Sequence, residues 1–431
     1  MSVWCERLVV DGVVRDRVRV SSDTAGTITA IAEGVGPDPG DLLIGTAFPG
    51  AADAHSHAFH RALRGRTHGG GGDFWSWRDL MYRTAAALTP ERYRRLAHAV
   101  FAEMLAAGYT ALGEFHYVHH RPDGTPYPHD MELAIADAAE EVGIRLTLLD
   151  TAYLAGGIGQ PLSPAQARFG DASADAYLRR WHELAARMPG LGAAIHSVRA
   201  VAPADIRTIV EGLPEDVPLH VHLSEQPKEN ADSLAAFGLT PTGVLAREGV
   251  LSPRVSVVHA THLTDGDIRT LGSAGVSIVM CPTTEADLGD GIGPARDLMD
   301  AGATLAIGSD QNAVVDPLLE TRGLEMQERL RSLRRGRFSP GDLGRAMGSG
   351  GYRSLGLRAP MTVGGPLDLI EIDTRSARTV GSEPEGLLLC ATASDVRRVI
   401  VGGRVVAIDG SLIGGQAPAD LLADALQEVF G

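Results

Sequence analysis

Hydrophobic and polar residues alternate with the period of a β-strand at both ends of the chain, whereas the middle follows a different pattern. Near the start, two β-rich runs are separated by Asp11-Gly12, a pair typical of a two-residue hairpin turn. Residues 367–372 and 399–408 repeat this style near the other end. The pattern predicts one small β-sandwich domain that combines both ends, residues 1–47 and 365–431.

Short apolar runs alternate in the middle with longer helical patterns rich in alanine and arginine. Thr89-Pro90, for example, predicts the start of a helix over 90–107, because Thr caps a helix well and Pro fits its first turn. Repeated strand–helix units over about 300 residues predict an α/β fold, a parallel (β/α)8 TIM-type barrel over residues 48–364. The predicted strands after the first are Thr110–Phe115, Arg145–Leu149, Ala193–His196, Leu219–Leu223, Val255–His259, Ser277–Met280 and Thr304–Ile307.

The alternative to a barrel is an open, doubly wound parallel sheet that binds a nucleotide. Such a sheet needs a glycine-rich turn between its first strand and first helix. The run Gly69–Gly72 has no strand directly before it, so we interpret it as a loop. The barrel is therefore the favoured architecture.

Composition excludes several classes of function. The chain has 431 residues, with 39 Lys+Arg against 54 Asp+Glu and a net charge of −15, which argues against binding nucleic acid or an anionic membrane. No apolar run approaches the roughly 20 residues that span a bilayer, and the charged start reads as a strand and not as a signal peptide. Cys5, Cys281 and Cys390 lie far apart, which suits a reducing compartment and predicts a cytoplasmic protein.

Polar residues with metal-binding or acid–base chemistry cluster at the ends of the predicted strands. His55 and His57 are spaced by two, so on a strand both rings point the same way and can meet one ion. His222, His259 and Asp310 follow at the ends of later strands. In a barrel these ends form the catalytic face, so we expect the five side chains to meet.

This order resembles the amidohydrolase superfamily, which has HxH on strand one, His on strands five and six, and Asp on strand eight. Two-metal members usually carry a carbamylated lysine on strand four, but Lys228 is the first lysine of this chain and follows the second histidine cluster. The resemblance therefore implies a single metal, and nitrogen-rich ligation favours zinc. Its ligands would be His55, His57, His222 and Asp310. His220 is interpreted as a core residue two positions deeper.

The same resemblance implies how protons move. A bound zinc ion lowers the pKa of its water to about 7 from 15.7, so hydroxide becomes available to attack the substrate carbon. Asp310 would accept the proton of this water, and Glu225 would pass a proton to a leaving nitrogen. His259 would hold the attacking oxygen or the tetrahedral intermediate. This trio is similar to that of the aminohydrolases, which release ammonia.

Longer motifs resemble the formiminoglutamate deiminases of histidine degradation, between about Leu43 and Arg329. The matching segments are Leu43–His60, Phe74–Arg83, Glu114–His120, His196–Val201, His222–Gln226, Lys228-Glu229, His259–Leu263 and Thr283–Ile292. The resemblance implies hydrolysis of N-formimino-L-glutamate to N-formyl-L-glutamate and ammonia, and a homodimer.

The implied substrate has two carboxylates, and arginine pairs with carboxylates through two parallel hydrogen bonds. Arg83 and Arg199 lie in matching motifs and are the predicted partners of the two carboxylates. Tyr117 and His196 would hydrogen-bond the same dianion, and His60 would assist at the end of the first strand.

Two positions depart from the family pattern. His60 stands where the family usually has Gln, and Gln311-Asn312 stands where it usually has Ser-His. These changes leave a related formimino or guanidino acid open as the substrate. A purine or pyrimidine aminohydrolase and an inactive scaffold are further alternatives. A scaffold should lack one or more ligands, and all are present here.

Two further aromatic motifs have more than one interpretation. Trp75 and Trp77 form part of a lid or pack against the barrel. His119-His120 suggests a second metal, but we favour a hydrogen-bonded or exposed pair.

Overall fold

The computed structural model describes residues 1–67 and 74–431, so the glycine run Gly69–Gly72 lies outside the described residues. Its strands are β1 Ser2–Val10, β2 Val13–Ser22, β3 Ile28–Ala32, β4 Leu42–Pro49, β5 Ala51–Ser56, β6 Tyr109–His116, β7 Arg145–Ala152, β8 Gly192–Ile195, β9 Leu219–Leu223, β10 Val255–His259, β11 Ser277–Met280, β12 Thr304–Ile307, β13 Leu369–Ile372, β14 Val396–Val401, β15 Arg404–Ile408 and β16 Ser411–Leu412.

Helices follow most barrel strands and cover the outside of the barrel. They are α1 Phe74–Ala87, α2 Pro90–Ala107, α3 Asp130–Val142, α4 Ala174–Ala185, α5 Pro203–Gly212, α6 Pro227–Phe237, α7 Pro241–Arg247, α8 Asp265–Ser273, α9 Pro282–Leu288, α10 Ala295–Asp300, α11 Pro317–Ser332, α12 Pro340–Met347, α13 Ser349–Ser354 and α14 Pro418–Phe430. Among the described residues, none of these helices is long and apolar enough to cross a membrane.

Strands β5 to β12 pair in sequence order and in parallel, as a TIM-type barrel requires. The barrel closes between β12 and β5, where the Asp310 N–H donates to His55 O and the His57 N–H donates to Asp310 O, both at 2.9 Å. The predicted barrel is therefore confirmed. Its closure also brings the first and last predicted ligand segments together.

Local sequence signals account for many of the element boundaries. Strands β9 to β12 begin and end where the apolar runs predict, because parallel strands buried on both faces are continuously hydrophobic. Helix α2 spans the predicted residues, and the Thr89 side chain accepts a hydrogen bond from the Arg92 N–H at 3.3 Å. His196 differs, because β8 ends one residue earlier and leaves this histidine in the loop over the barrel mouth.

The two chain ends form one mixed sheet of eight strands, in the order β16-β15-β14-β13-β4-β1-β2-β3. Asp11 and Gly12 have φ angles of 51° and 76°, which confirms the two-residue hairpin turn between β1 and β2. A bridge between Thr27 and Pro366 connects the two halves of the sheet. This mixed sheet has its own hydrophobic core, which includes Val3, Cys5, Leu8, Val18, Val20, Ile44, Leu367, Leu369 and Ile400.

Asp368 joins this sheet to the barrel. Its buried carboxylate accepts hydrogen bonds from Arg145 Nε at 2.6 Å and Arg145 Nη2 at 3.1 Å, at the start of β7. It also accepts from the hydroxyl of Tyr352 and the N–H of Gly402, both at 2.7 Å. One carboxylate therefore satisfies donors from the barrel, from α13 and from the β14–β15 hairpin.

We expect Asp368→Ala to lower the free energy of unfolding by about 3 kcal/mol, because it leaves several donors at this junction without their acceptor. Urea denaturation measures the change. Asp232→Ala is the control, because it removes an exposed pair with Lys228 and should cost nothing measurable. Equal stability of the two variants would contradict the proposed role of Asp368.

Candidate metal centre and active site

Four predicted ligands meet at the carboxyl ends of the barrel strands. His55 Nε2 lies 3.1 Å from His222 Nε2 and 3.4 Å from Asp310 Oδ1. His57 Nε2 lies 3.4 Å from the same aspartate oxygen. Ligand atoms bound tetrahedrally to zinc are about 3.3 Å apart, so these four side chains have the spacing of one zinc site.

Hydrogen bonds on the far side of two rings fix the nitrogens that face the site. His57 Nδ1 donates to Phe115 O at 2.9 Å, and His222 Nδ1 donates to His196 O at 3.0 Å. In each neutral ring Nε2 then carries the lone pair. His55 Nε2 lies 3.1 Å from His222 Nε2, and a cation bound by both nitrogens would take the place of a hydrogen bond between the two rings.

The protonation states also suit a metal. Burial lowers the pKa of His55 to about 3, so its ring is neutral at pH 7. Burial alone would raise the pKa of Asp310, but the hydrogen bond with His55 and the positive charge favoured on His259 lower it below its usual range. A neutral imidazole and an ionised carboxylate are the forms that bind metal ions.

The backbone is strained where the strands end. Ser224, His259, Ala260 and Asp310 have φ angles of 51°, 69°, 50° and 46°, in the left-handed region that non-glycine residues rarely adopt. Each such residue costs on the order of 1–3 kcal/mol, and this strain often accompanies active sites. Here it directs His259 and Asp310 from their strand ends toward the metal ligands.

Of the three residues predicted to handle protons, Asp310 and Glu225 both lie beside the imidazole of His259. His259 Nε2 is 3.7 Å from Asp310 Oδ2 and 3.9 Å from Glu225 Oε1. Burial lowers the pKa of His259, but the negative charges around it, led by Glu225, outweigh burial and raise the pKa to about 10. These negative charges favour the protonated form of His259, which suits the stabilisation of a developing oxyanion.

Aromatic side chains form the wall beside the ligands. The His60 ring centroid lies 4.6 Å from that of His57, and His60 Nε2 contacts the hydroxyl of Tyr117 at 3.0 Å. The ring of His196 lies 5.7 Å from Tyr117 and 5.2 Å from His222. The structure thus brings these three predicted substrate residues to one side of the metal centre.

Arg199 lies on the same side, at the mouth of the site, and is half-buried. Its Nη2 is 3.5 Å from Glu225 Oε2, and its Nε is 3.7 Å from Glu229 Oε2. Burial lowers the pKa of this guanidinium, but Glu229 and Glu225 raise it above its usual value. Arg199 therefore carries a fixed positive charge next to the predicted proton donor.

Helix α1 places Arg78 and not Arg83 toward this wall. Arg83 is exposed, whereas Arg78 is half-buried with its guanidinium carbon 5.7 Å from the centroid of the Tyr82 ring. The charge of Arg78 also acts on Tyr153, whose ring lies 4.5 Å from His196. Five residues separate the two arginines, which is about 140° around a helix, so they face different directions.

Sequence reasoning missed Arg78, although a signal was present. The buried residues of α1 include Met81, Thr84 and Ala85, three, six and seven positions beyond Arg78. This helical spacing puts Arg78 at the edge of the buried face and Arg83 off it.

The two departures from the family pattern line the rim of the site. The Gln311 Oε1 accepts from Trp77 Nε1 at 3.1 Å, and the Trp77 ring lies 5.4 Å from His60. Asn312 Nδ2 donates to the Ser56 hydroxyl and to His57 O, both at 3.1 Å. Trp77 therefore packs against His60, whose ring in turn lies beside His57. The side chain of Trp75 lies outside the described residues.

A second polar cluster lies behind β6 and β7. His119 is buried, with Nδ1 2.7 Å from Glu132 Oε1 and Nε2 donating to Thr151 O at 2.9 Å, so its hydrogen-bonded state is confirmed. His116, His119 and Glu132 are close enough to surround an ion. However, Arg180 Nη1 already lies 3.5 Å from the same Glu132 oxygen and supplies positive charge. We interpret this cluster as structural.

Comparison with known proteins adds to this geometry. The sequence profile of the amidohydrolase family matches residues 46–406. The formimidoylglutamate deiminase of Pseudomonas aeruginosa is 37% identical over 453 aligned positions, which cover 100% of this chain and 99% of that protein. The 8-oxoguanine deaminase of the same organism is 31% identical over 387 positions, covering 85% of this chain and 83% of that protein.

Solved structures show the same architecture. An amidohydrolase from Brucella melitensis has a TM-score of 0.93 and 30% identity, with 100% of both chains covered. An adenosine deaminase from Xanthomonas campestris with bound zinc has a TM-score of 0.84 and 25% identity, with 99% of this chain and 97% of that chain covered.

Proposed function

The chain belongs to the amidohydrolase family, and from this premise we propose that it hydrolyses N-formimino-L-glutamate to N-formyl-L-glutamate and ammonia, as in histidine degradation. One observation carries the proposal: a complete set of metal ligands and proton carriers lies beside arginine side chains at the same barrel mouth. The first feature supports hydrolysis of a C–N bond, and the second supports an acidic substrate. We also propose a homodimer, which light scattering would detect at the mass of two chains.

We propose one zinc ion held by His55, His57, His222 and Asp310. When bound, zinc makes hydroxide available near neutral pH, because it lowers the pKa of a ligated water to about 7. Three histidines and one carboxylate are a donor set that zinc favours. The zinc-containing adenosine deaminase structure supports this choice.

The residues around His259 would move the protons. Asp310 would accept the proton of the attacking water through Oδ2, the oxygen that faces His259. His259 would stabilise the negative charge that develops on the oxygen newly bonded to the attacked carbon. Glu225 would protonate the nitrogen of the C=N bond as this oxygen adds, and the proton held by Asp310 would then protonate the same nitrogen, which leaves as ammonia. The hydroxyl proton of the intermediate would return to Glu225 as the formyl C=O bond forms.

The two carboxylates of the substrate would be held on the aromatic side of the site. We propose Arg199 for one of them and Arg78 for the other, with hydrogen bonds from Tyr117, His196 and His60. Arg83 stays the sequence-based alternative to Arg78. The 31% identical relative is a purine deaminase. A purine has no carboxylates, so an enzyme of that class would not need two arginines at this position.

An ammonia-release assay of the zinc-loaded protein tests the substrate. The panel contains formiminoglutamate, formiminoaspartate, a guanidino acid, and several purines and pyrimidines. We expect formiminoglutamate to give the highest kcat/KM. A higher kcat/KM for a purine or pyrimidine would contradict the proposed substrate and leave the family assignment intact.

We expect one equivalent of zinc per chain after dialysis, because one group of four side chains has the right spacing and the family's bridging lysine is absent. Elemental analysis measures the ratio. His222→Ala should lose the ion. His220→Asn should keep it, because His220 Nε2 instead donates to Ser354 O at 2.8 Å. Two equivalents, or full activity without any metal, would overturn this prediction.

A further inference from the structure

A buried carboxylate lies on the second nitrogen of the His259 ring. Glu285 is in the first turn of α9, within the motif Thr283–Ile292, and the proposed function gives it no role. Its Oε1 lies 3.5 Å from His259 Nδ1 and accepts a hydrogen bond from the Cys281 N–H at 2.9 Å. Glu285 thus faces Nδ1, while Asp310 and Glu225 face Nε2.

His259 and Glu285 have few other partners. In residues 1–67 and 74–431, His259 is the only ion-pair partner of Glu285. Within the same residues, neither His259 Nδ1 nor Glu285 Oε2 has a hydrogen-bond partner, and both atoms are buried. A buried carboxylate without a cation is costly, so the pairing stabilises both groups. Such contacts are often long before substrate binds and shorten afterwards.

The pairing also determines what His259 presents to the reaction. A ring nitrogen that faces a carboxylate carries a hydrogen, so Glu285 holds Nδ1 in its protonated form and prevents the ring from turning over. Nε2 then stays directed toward Asp310 and Glu225, at 3.7 Å and 3.9 Å. The backbone of His259 is strained at φ 69°, a conformation that persists only where the surrounding structure holds it in place.

We propose that Glu285 is a positioning residue that fixes the orientation of the His259 ring, with Nε2 toward Asp310 and Glu225, for the deimination step. The inference rests on the proposed function, because it assumes that His259 acts on the reacting oxygen. Glu285 is fully buried behind the ring and does not line the wall where the carboxylates bind. Its loss should therefore affect turnover and not substrate affinity.

The test compares Glu285→Gln with the parent enzyme on formiminoglutamate. The amide keeps the size of the side chain but removes its charge and its fixed acceptor. We expect kcat to fall about tenfold to a hundredfold, as for other groups that orient a catalytic side chain. KM should change less than about twofold, and zinc content should not change. Glu285→Asp keeps the charge and should have a kcat between those of the other two proteins.

Glu320→Gln is the matched control. Glu320 is also fully buried, and its carboxylate accepts from the Thr283 N–H at 3.0 Å at the start of the same helix. It therefore supports α9 as Glu285 does, but the described part of the chain shows no ion pair between Glu320 and His259. We expect it to alter thermal stability and to leave kcat near the parent value.

Several outcomes would overturn the role of Glu285: parent kcat in Glu285→Gln, an equal loss in Glu320→Gln, or a loss that follows zinc content. If Glu285→Gln does not fold, Glu285→Asp decides. A kcat at least about threefold lower at unchanged KM supports the role, and parent kcat overturns it.

If the parent releases no ammonia from formiminoglutamate but deaminates another compound, the proposed substrate fails. The same comparison is then made with that compound.

Discussion

Asp310→Asn should remove nearly all turnover while the fold stays intact. The substitution keeps the shape of the side chain but removes its negative charge, which we propose both binds the metal and accepts the proton of the attacking water. We expect kcat to fall about a thousandfold or more, because general-base catalysis alone contributes about 10²–10⁴-fold. Zinc content and circular dichroism, measured beside kcat, separate loss of the metal from loss of the proton acceptor.

Glu225→Gln should have an effect of similar size through the leaving group. The amide cannot deliver a proton to the departing nitrogen, so kcat should fall by about 10²–10⁴-fold with zinc still bound. Glu229→Gln is the control, because Glu229, in α6, also faces Arg199 but forms no ion pair with His259 among the described residues. If Glu225→Gln keeps most of its turnover, another residue protonates the leaving nitrogen.

Arg199→Met and Arg78→Met should each weaken the use of formiminoglutamate. A charge-assisted hydrogen bond contributes about 1.5–3 kcal/mol, and each 1.4 kcal/mol is a factor of about ten. We therefore expect kcat/KM to fall roughly ten- to a few hundred-fold, mainly through KM. The loss should largely vanish with an analogue that lacks the matching carboxylate.

Arg83→Met tests whether Arg78, placed at the site by the structure, or Arg83, chosen from the sequence, binds a substrate carboxylate. Arg83 is exposed on the same helix, so this variant should behave like the parent enzyme. A loss in Arg83→Met without a loss in Arg78→Met would restore the original prediction. If none of the three variants changes kcat/KM, the arginines are structural, and the substrate would have to be sought outside the acidic compounds.

The barrel and the grouping of the four candidate metal ligands could be predicted from the sequence, because both depend on local patterns. Continuous apolar runs such as Val255–His259 form parallel strands that are buried on both faces. His55 and His57 are two residues apart on one strand, so their rings share a side whatever surrounds them. The carboxyl ends of parallel strands meet at one face of the barrel, so the sequence alone predicts that His222 and Asp310 lie near His55 and His57.

The tertiary structure alone decided which groups outside the strands reach the site. The choice between Arg78 and Arg83 depends on how α1 is rotated against the barrel, and packing determines that rotation. The contact of Glu285 with His259 joins a helix start to a strand end 26 positions away in the chain, and no short-range pattern encodes it. The left-handed backbone at His259 and Asp310 likewise lies where barrel strands end, and the tertiary structure there overrides local preference. The sequence by itself therefore determines which candidate ligands come together at the strand ends, while side-chain packing across the barrel mouth determines which further groups face them.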